Sequence, residues 1–164
     1  MRNVPRHILV MGVSGAGKST IGALLAARLG LPFLDADDLH PPANVESLAA
    51  GVPLSDAERW PWLAAVHGAW RDRGGVLACS ALRQAYRAVL FEGIDPAPAI
   101  VLLRVAPAVV AARLSVREGH FASPAILPSQ FEALEEPPDA ITSGSGLPPA
   151  AAVEAIVAAL GTGS

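Results

Sequence analysis

Charged residues are scarce in this 164-residue chain, where they make up 16% of the sequence and leave a formal net charge of −3. That balance gives no electrostatic basis for binding nucleic acid or an anionic membrane surface. The single cysteine, Cys79, excludes an intrachain disulfide and a cysteine-rich zinc site. No apolar run approaches the ~20 residues that span a bilayer. Hydrophobic residues make up 52% of the chain, so we expect a soluble, cytoplasmic protein with one packed domain over residues 1–164.

What the sequence does contain, near its start, is a glycine-rich motif of the pattern G-x-x-x-x-G-K-[ST] at residues 12–19. The motif follows a short apolar run at residues 8–11 and opens a helical pattern. This strand–loop–helix context is the one that a phosphate-binding P-loop requires. The apolar run enters the motif without a cleavage site, so it is predicted to be a core strand and not a signal peptide.

The P-loop predicts a nucleotide site because its chemistry is that of anion binding. Glycines let backbone N–H groups and the helix N-terminus approach phosphates closely. Lys18 would add a positive charge near the β- and γ-phosphates, and the Ser19 hydroxyl would bind Mg²⁺. The alternative, a glycine-rich turn that binds nothing, is disfavoured by the flanking strand and helix. The predicted nucleotide-binding residues are Gly12, Val13, Ser14, Gly15, Ala16, Gly17, Lys18, Ser19, Thr20 and, further along the chain, Arg113.

Short apolar runs alternate with helical patterns along the whole chain. This alternation predicts an α/β fold, in which a parallel sheet carries helices on both faces. The predicted strands cover residues 8–11, 32–34, 76–79 and 100–105. The predicted helices cover residues 18–29, a segment that starts between 56 and 61 and ends at 73, and residues 80–91, 107–117, 129–134 and 149–160.

Two carboxylates follow the second predicted strand, at the edge where parallel α/β sheets bind ligands. Asp35 and Asp37 are one residue apart, so an extended backbone would point both to the same side. One can serve the Mg²⁺ shell while the other orients and deprotonates an attacking hydroxyl. A solvated acidic loop that caps the next helix explains the same residues equally well. His40 is a candidate hydrogen-bond partner of the substrate, with a packed loop histidine as an equal alternative.

Basic side chains in the middle of the chain are candidates for binding an anionic substrate. Arg59 lies one turn after Asp56, the predicted N-cap of its helix. Its guanidinium could grip a carboxylate in a bidentate fork, or it could pair only with Asp56. Arg83 and Arg87 are one turn apart and could also reach a negatively charged substrate, with two solvated arginines as the alternative.

A lid is predicted at about residues 113–128, after the fourth strand. Arg113 and Arg117 are four residues apart on one helix face, so both could close over the phosphates and stabilise charge in the transition state. Gly119 would supply a hinge. A solvated helix C-terminus carrying favourable basic charge is the alternative.

Taken together, these motifs resemble the bacterial-type gluconokinases, small P-loop enzymes that phosphorylate D-gluconate with ATP. The resemblance covers about residues 7–139 in unbroken order. Its most specific segments are His-Pro at 40–41, Pro-Trp-Leu at 61–63, Cys-Ser-Ala-Leu at 79–82 and Gly-His-Phe at 119–121. It implies a P-loop NTPase fold like that of nucleoside monophosphate kinases and shikimate kinase. It also implies ATP and Mg²⁺ as cofactors, and transfer of the γ-phosphoryl of ATP to the 6-hydroxyl of gluconate.

The resemblance also implies roles for individual residues. The catalytic residues would be Lys18, Asp37 and Arg117, and the metal would be served by Ser19 and Asp35. The predicted substrate-binding residues are Asp37, His40, Arg59, Arg83 and His120, and an anionic sugar acid agrees with the basic side chains among them. Relatives commonly dimerise, and the sequence leaves a homodimer as an open alternative.

The chain departs from the family pattern at Ala36 and Asp38, where the family usually has glycine and an uncharged residue. After residue 139 it diverges further, which predicts a fifth strand that is short or absent and leaves the adenine contacts open. Two alternative functions remain: a kinase of shikimate or another small hydroxy acid, and a non-catalytic ATP-binding regulatory module. A GTPase is disfavoured because no Asn-Lys-x-Asp-like guanine signature is present.

Overall fold

The computed structural model describes residues 4–116, 123–144 and 147–162. The strands are β1 (His7–Met11), β2 (Phe33–Asp35), β3 (Gly75–Ala78), β4 (Ala99–Arg104) and β5 (Ile141–Gly144). The helices are α1 (Lys18–Leu29), α2 (Pro42–Ala49), α3 (Asp56–Arg73), α4 (Gln84–Phe91), α5 (Pro107–Val116), α6 (Leu127–Ala133) and α7 (Pro149–Thr162). Short 3₁₀ turns lie at Ala36–Leu39 and Pro124–Ile126. Within these ranges, no helix combines the length and the apolar character needed to cross a membrane.

The five strands form one parallel sheet in the order β2-β3-β1-β4-β5. The predicted α/β parallel-sheet fold is therefore confirmed. Every residue of β1 is buried, as expected for a central strand covered on both faces. The chain places β2 and β3 on one side of β1, and then β4 and β5 on the other side. The strand order therefore reverses at β1, and the carboxyl edge of the sheet at such a switch point is where ligands bind.

Alternate residues of β1 divide the core into two layers. Ile8 and Val10 belong to a buried cluster with residues of α1 and α7. Leu9 and Met11 belong to a second buried cluster with residues of α3 and α4, among them the fully buried Trp70. This period of two is what a strand with helices on both faces requires. Both faces of the sheet are therefore packed against helices.

The element bounds agree with the predicted ones to within two residues, except at the start of α4 and at α2. Helix α4 begins at Gln84 and not at residue 80, because the preceding loop contains Ala81 with a positive φ of 44°. That backbone conformation is costly for a residue with a side chain and cannot continue into a helix. Helix α2 is not among the predicted helices, although Pro42 stands in its first turn, where proline is favoured. Strand β5 has four residues, which agrees with the predicted short strand.

The N-cap of α3 is Ser55, and the prediction of Asp56 in that role is wrong. The Ser55 hydroxyl accepts a hydrogen bond from the backbone N–H of Glu58 at 3.2 Å. The Glu58 carboxylate in turn accepts from the backbone N–H of Ser55 at 2.9 Å. This reciprocal capping box satisfies two backbone donors that the first turn would otherwise leave open. Asp56 is then the first residue of the helix and is available for other contacts.

Ser55→Ala is expected to lower the free energy of unfolding by about 1 kcal/mol, because the mutation removes the acceptor of the capping box. Urea unfolding followed by circular dichroism measures this loss. Ser115→Ala is the matched control, since Ser115 lies inside α5 and its hydroxyl donates to the carbonyl oxygen of Ala112. Equal midpoints for Ser55→Ala and the wild type would contradict the assignment of the cap.

Candidate active site

A cavity of about 500 Å³ opens at the carboxyl edge of the sheet. The P-loop contributes to one wall and the 3₁₀ turn after β2 to a second. The remaining lining comes mainly from α3 and the segment before it, from the loop between β3 and α4 with the start of α4, and from α6. The structure brings six of the predicted site residues into its lining: Ser14, Lys18, Asp37, His40, Arg59 and Arg83. Groups suited to a phosphate donor and groups suited to an anionic acceptor therefore share one enclosed space.

The P-loop has the backbone geometry that close approach to phosphate requires. Gly15 and Gly17 both have positive φ values, 81° and 99°. A Cβ atom on Gly15 would also lie only 3.1 Å from the side chain of Leu114. These positions therefore need glycine for backbone conformation and, at Gly15, for space.

Lys18 is held inside the loop that it serves. Its Nζ donates a hydrogen bond to the carbonyl oxygen of Val13 at 2.9 Å. Burial lowers the pKa of Lys18, and the negative charges of Asp37 and Asp35 oppose that shift. The lysine thus lies in a low-dielectric setting, where a charge interacts strongly with a bound phosphate.

Ser19 and Asp35 form an oxygen-only donor pair at the mouth of the P-loop. The Ser19 hydroxyl donates to Oδ2 of Asp35 at 2.5 Å, and Oδ1 of Asp35 accepts from the backbone N–H of Asp37 at 3.0 Å. Across residues 4–116, 123–144 and 147–162, no group of three or more histidine, cysteine or acidic side chains could hold a metal alone. A hydroxyl with one carboxylate is nevertheless the donor set that suits Mg²⁺, which takes its remaining ligands from phosphates and water.

Asp37 faces the cavity from the 3₁₀ turn after β2. Burial raises the pKa of Asp37 to about 6, and Lys18 partly opposes this rise while Asp35 and Asp38 add to it. A carboxylate with a raised pKa is a better proton acceptor for a hydroxyl group than an ordinary one. Its position beside the P-loop lysine suits a group that acts on the acceptor.

His40 is packed tightly beside Asp37. Its ring stacks on Trp62, with centroids 3.9 Å apart and planes 14° from parallel. Its Nδ1 lies 3.2 Å from Nδ2 of Asn44, and its Nε2 lies 3.8 Å from Oδ1 of Asp37. Burial, with a smaller effect of the Arg59 charge, lowers the pKa of His40 to about 4, so the ring is neutral at pH 7. The side chain therefore lines the cavity as a packed, uncharged group.

Arg59 is fixed by two side chains, so both of its predicted roles are compatible with one geometry. Its Nη1 donates to the Tyr86 hydroxyl at 2.9 Å and to Oδ1 of Asp56 at 3.2 Å. The Tyr86 hydroxyl donates to the same Asp56 oxygen at 2.6 Å, and the guanidinium lies 5.0 Å from the centre of the Tyr86 ring. Arg59 pairs with Asp56 and also faces the cavity.

Arg83, which precedes α4, and Arg87, which lies within it, have different surroundings. Arg87 is buried, and it donates to the backbone carbonyls of Ala81, Leu82 and Glu135 at 2.7, 3.2 and 2.9 Å. Its predicted reach to a substrate is wrong, and so is the alternative of a solvated side chain, because burial and these carbonyls give it a structural role. Arg83 is exposed and lines the cavity.

The predicted lid is only partly described by the structure. Arg113 donates from Nη1 to the carbonyl oxygen of Gly15 at 3.1 Å, which places it against the P-loop. Arg117, Gly119 and His120 lie outside the described residues, so their roles remain predictions.

Three residues that shape the cavity were not assigned roles from the sequence. Tyr86 and Asn44 hold Arg59 and His40, as given above. Gln130, in α6, accepts a hydrogen bond at its Oε1 from the P-loop N–H of Ser14 at 2.7 Å. All three occur in segments that resemble the gluconokinases, but only folding brings them against their partners.

Comparison with known proteins agrees with this geometry. The shikimate kinase family model matches residues 14–124. The gluconokinase of Gluconobacter oxydans is 48% identical over 82% of this chain and 78% of its own length. The crystal structure of a gluconokinase from Sinorhizobium meliloti has a TM-score of 0.86 at 40% identity, covering 97% of this chain and 93% of that one. A shikimate kinase from Bacteroides thetaiotaomicron has a TM-score of 0.66 at 17% identity over 94% of this chain and 97% of its own, which shows a shared fold alone.

Proposed function

Because this chain belongs to the shikimate kinase family, and within it to the gluconokinases, we propose that it is a kinase acting on D-gluconate. It transfers the γ-phosphoryl group of ATP to the 6-hydroxyl and releases 6-phospho-D-gluconate and ADP. The observation that carries the proposal is the shared cavity, in which the P-loop Lys18 and the carboxylate of Asp37 face the arginine side of the same space. The 48% identity to a curated gluconokinase supports gluconate as the acceptor.

The reaction follows from the placement of these groups. The 6-hydroxyl oxygen of gluconate attacks the γ-phosphorus, and the bond from that phosphorus to the β–γ bridging oxygen breaks. Asp37 accepts the hydroxyl proton, and ADP leaves with the electron pair of the broken bond. Lys18 stabilises the negative charge on the transferring group, which is the main task of the protein in phosphoryl transfer.

Ser19 and Asp35 would hold Mg²⁺ at the phosphates, and their oxygen atoms fit that ion. The ion neutralises charge on the phosphate oxygens when it is bound. Arg113, whose guanidinium contacts the P-loop carbonyl of Gly15, is a proposed contact of the nucleotide. Arg117 and His120 remain proposed contributors from the lid at residues 113–128, to transition-state charge and to substrate binding respectively. A homodimer and a cytoplasmic location also remain predictions.

Arg59 and Arg83 are the proposed partners of the gluconate carboxylate. An anionic acceptor explains why a chain with net negative charge directs two guanidinium groups into one cavity. The Asp56–Tyr86 pair holds Arg59 in one orientation before substrate binds, so less conformational freedom is lost on binding.

Tyr86→Phe is expected to raise KM for gluconate about five-fold while kcat and KM for ATP stay near their wild-type values. The change removes one hydrogen bond worth roughly 1 kcal/mol from Arg59 and keeps the ring beneath its guanidinium. Steady-state kinetics over both substrates measures the effect.

Arg59→Ala is expected to raise KM for gluconate further, and the double variant should add little to it because both changes act on the same contact. Fully additive effects of the two changes would contradict the proposal that Tyr86 acts through Arg59.

A panel of acceptors tests the proposed substrate. Release of ADP is measured with gluconate, shikimate and other small hydroxy acids, each over a range of concentrations. We expect kcat/KM for gluconate to exceed that for shikimate by at least about ten-fold. Preference for shikimate would favour the alternative kinase, and ATP binding without stimulated turnover by any acid would favour the regulatory module.

A further inference from the structure

We propose that Asn44 is a positioning residue, which fixes the neutral ring of His40 as the Nε2–H tautomer and directs that N–H at the carboxylate of Asp37. The proposal rests on the proposed function in one respect, the role of Asp37 toward the acceptor hydroxyl. The arrangement of Asn44 and His40 is independent of which acid is phosphorylated.

The orientation of the Asn44 amide follows from a neighbouring carbonyl. Asn44 is buried, with 4% of its surface exposed, and its Nδ2 lies 3.4 Å from the backbone oxygen of Glu58 in α3. A carbonyl oxygen only accepts hydrogen bonds, so the NH₂ side of the amide must face it. The reversed amide would set two oxygens against each other without a hydrogen between them.

The orientation of the amide decides the tautomer of His40. The same Asn44 Nδ2 lies 3.2 Å from His40 Nδ1, and an NH₂ group has a second hydrogen to donate there. Nδ1 must then accept, which requires its lone pair and leaves the ring proton on Nε2. A ring protonated on Nδ1 would place two donors against each other.

Two further contacts restrain the direction in which that proton points. Stacking on the buried Trp62 restrains the plane of the His40 ring, and the indole N–H of Trp62 is itself anchored to the carbonyl oxygen of Ala36 at 2.7 Å. In this plane His40 Nε2 faces Oδ1 of Asp37 at 3.8 Å. That separation is longer than a hydrogen bond, so a small movement of the Asp37 side chain would close it.

This tautomer gives the two carboxylate oxygens of Asp37 different partners. A donor on the His40 side favours a carboxylate orientation in which Oδ1 faces the ring. The other oxygen is then available to the hydroxyl of the acceptor. The opposite tautomer would present a lone pair to Oδ1 and repel it. His40 thus acts on Asp37 and not as a cation that binds the substrate carboxylate.

Long-range ¹H–¹⁵N NMR spectra of the full ¹⁵N-labelled chain, without substrate, test the tautomer directly. The signals of His40 are assigned by their loss in His40→Gln. We expect the pattern of a neutral Nε2–H ring at pH 7. A neutral Nδ1–H ring, or a doubly protonated one, would overturn the proposal whether or not the chain phosphorylates gluconate.

Asn44→Leu tests the consequence for turnover, because leucine keeps the shape of the side chain and removes its donors. The variant is expected to lose the single tautomer and to lower kcat about ten-fold, the scale of one hydrogen bond to a charged group, with KM for ATP unchanged. Val45→Ala, an exposed neighbour on α2, is the matched control and should behave as the wild type.

His40→Gln and His40→Asn provide a second test that does not depend on the folding of the Asn44 variant. The glutamine amide nitrogen can occupy the place of Nε2, whereas the shorter asparagine amide occupies that of Nδ1. We expect His40→Gln to keep several-fold more of the wild-type kcat than His40→Asn. Equal kcat values for the two variants, or an unchanged kcat in folded Asn44→Leu, would overturn the positioning role.

Discussion

Lys18→Ala is expected to lower kcat for the ATP-dependent phosphorylation of gluconate by roughly 10³-fold or more. That is the scale of the effect when an enzyme loses a cation that stabilises a transferring phosphoryl group. The side chain is partly buried within the P-loop, where its charge is less screened than in bulk water. Lys18 is the one basic residue of the P-loop at residues 12–19, so no other side chain of the loop can supply the lost charge. The measurement is single-turnover phosphorylation at saturating ATP and gluconate.

A control variant distinguishes loss of the P-loop contact from a general effect of removing one positive charge from α1. Arg28→Ala removes one positive charge from the same helix, α1, at an exposed position paired with Glu154. It should retain wild-type turnover, because a surface ion pair contributes little and lies far along the helix from the P-loop. Turnover of Lys18→Ala close to that of Arg28→Ala would contradict the assignment of the donor site.

Asp37→Asn is expected to lower kcat by ~10²-fold or more, because the amide cannot accept the proton of the attacking hydroxyl. The shape of the side chain and its place beside Lys18 are kept, so KM for ATP should change little. Steady-state kinetics with each substrate varied in turn, combined with an ATP-binding measurement, separates the two effects.

Asp38→Asn is the matched control, since Asp38 lies in the same 3₁₀ turn, is exposed and is absent from the cavity lining. The same loss of one negative charge there should leave kcat near the wild-type value. If Asp37→Asn altered only the affinity for ATP, the proposed role of Asp37 toward the acceptor would be wrong.

Most helices and strands could be predicted because their bounds depend on sequence patterns within each element. The bounds of α1 follow from a helical apolar pattern between the P-loop and Gly30, whose left-handed backbone ends the helix. Central strands such as β1 are buried on both faces and therefore appear as short apolar runs. The start of α4 could not be predicted in the same way, because the strained Ala81 is held by carbonyl contacts to Arg87 from the following helix.

In the candidate site too, contacts between residues close in sequence could be predicted and contacts between distant residues could not. The P-loop and the Asp35–Asp37 pair are recognisable because their chemistry is carried by residues close together in sequence. The partners of Arg59 and Ser14 are not, since Tyr86 and Gln130 are 27 and 116 residues away along the chain. Such contacts depend on how helices pack around the cavity, which residue types and spacing do not specify.

The proposed reaction is phosphorylation of gluconate on its primary hydroxyl. ³¹P NMR of the reaction mixture identifies the hydroxyl that receives the phosphoryl group. Wild-type protein is incubated with ATP, Mg²⁺ and gluconate, and proton-coupled spectra are recorded as ADP accumulates. We expect a new phosphomonoester signal that is split into a triplet by both protons of C6. A doublet, which indicates a secondary hydroxyl, or inorganic phosphate without any new ester would contradict it.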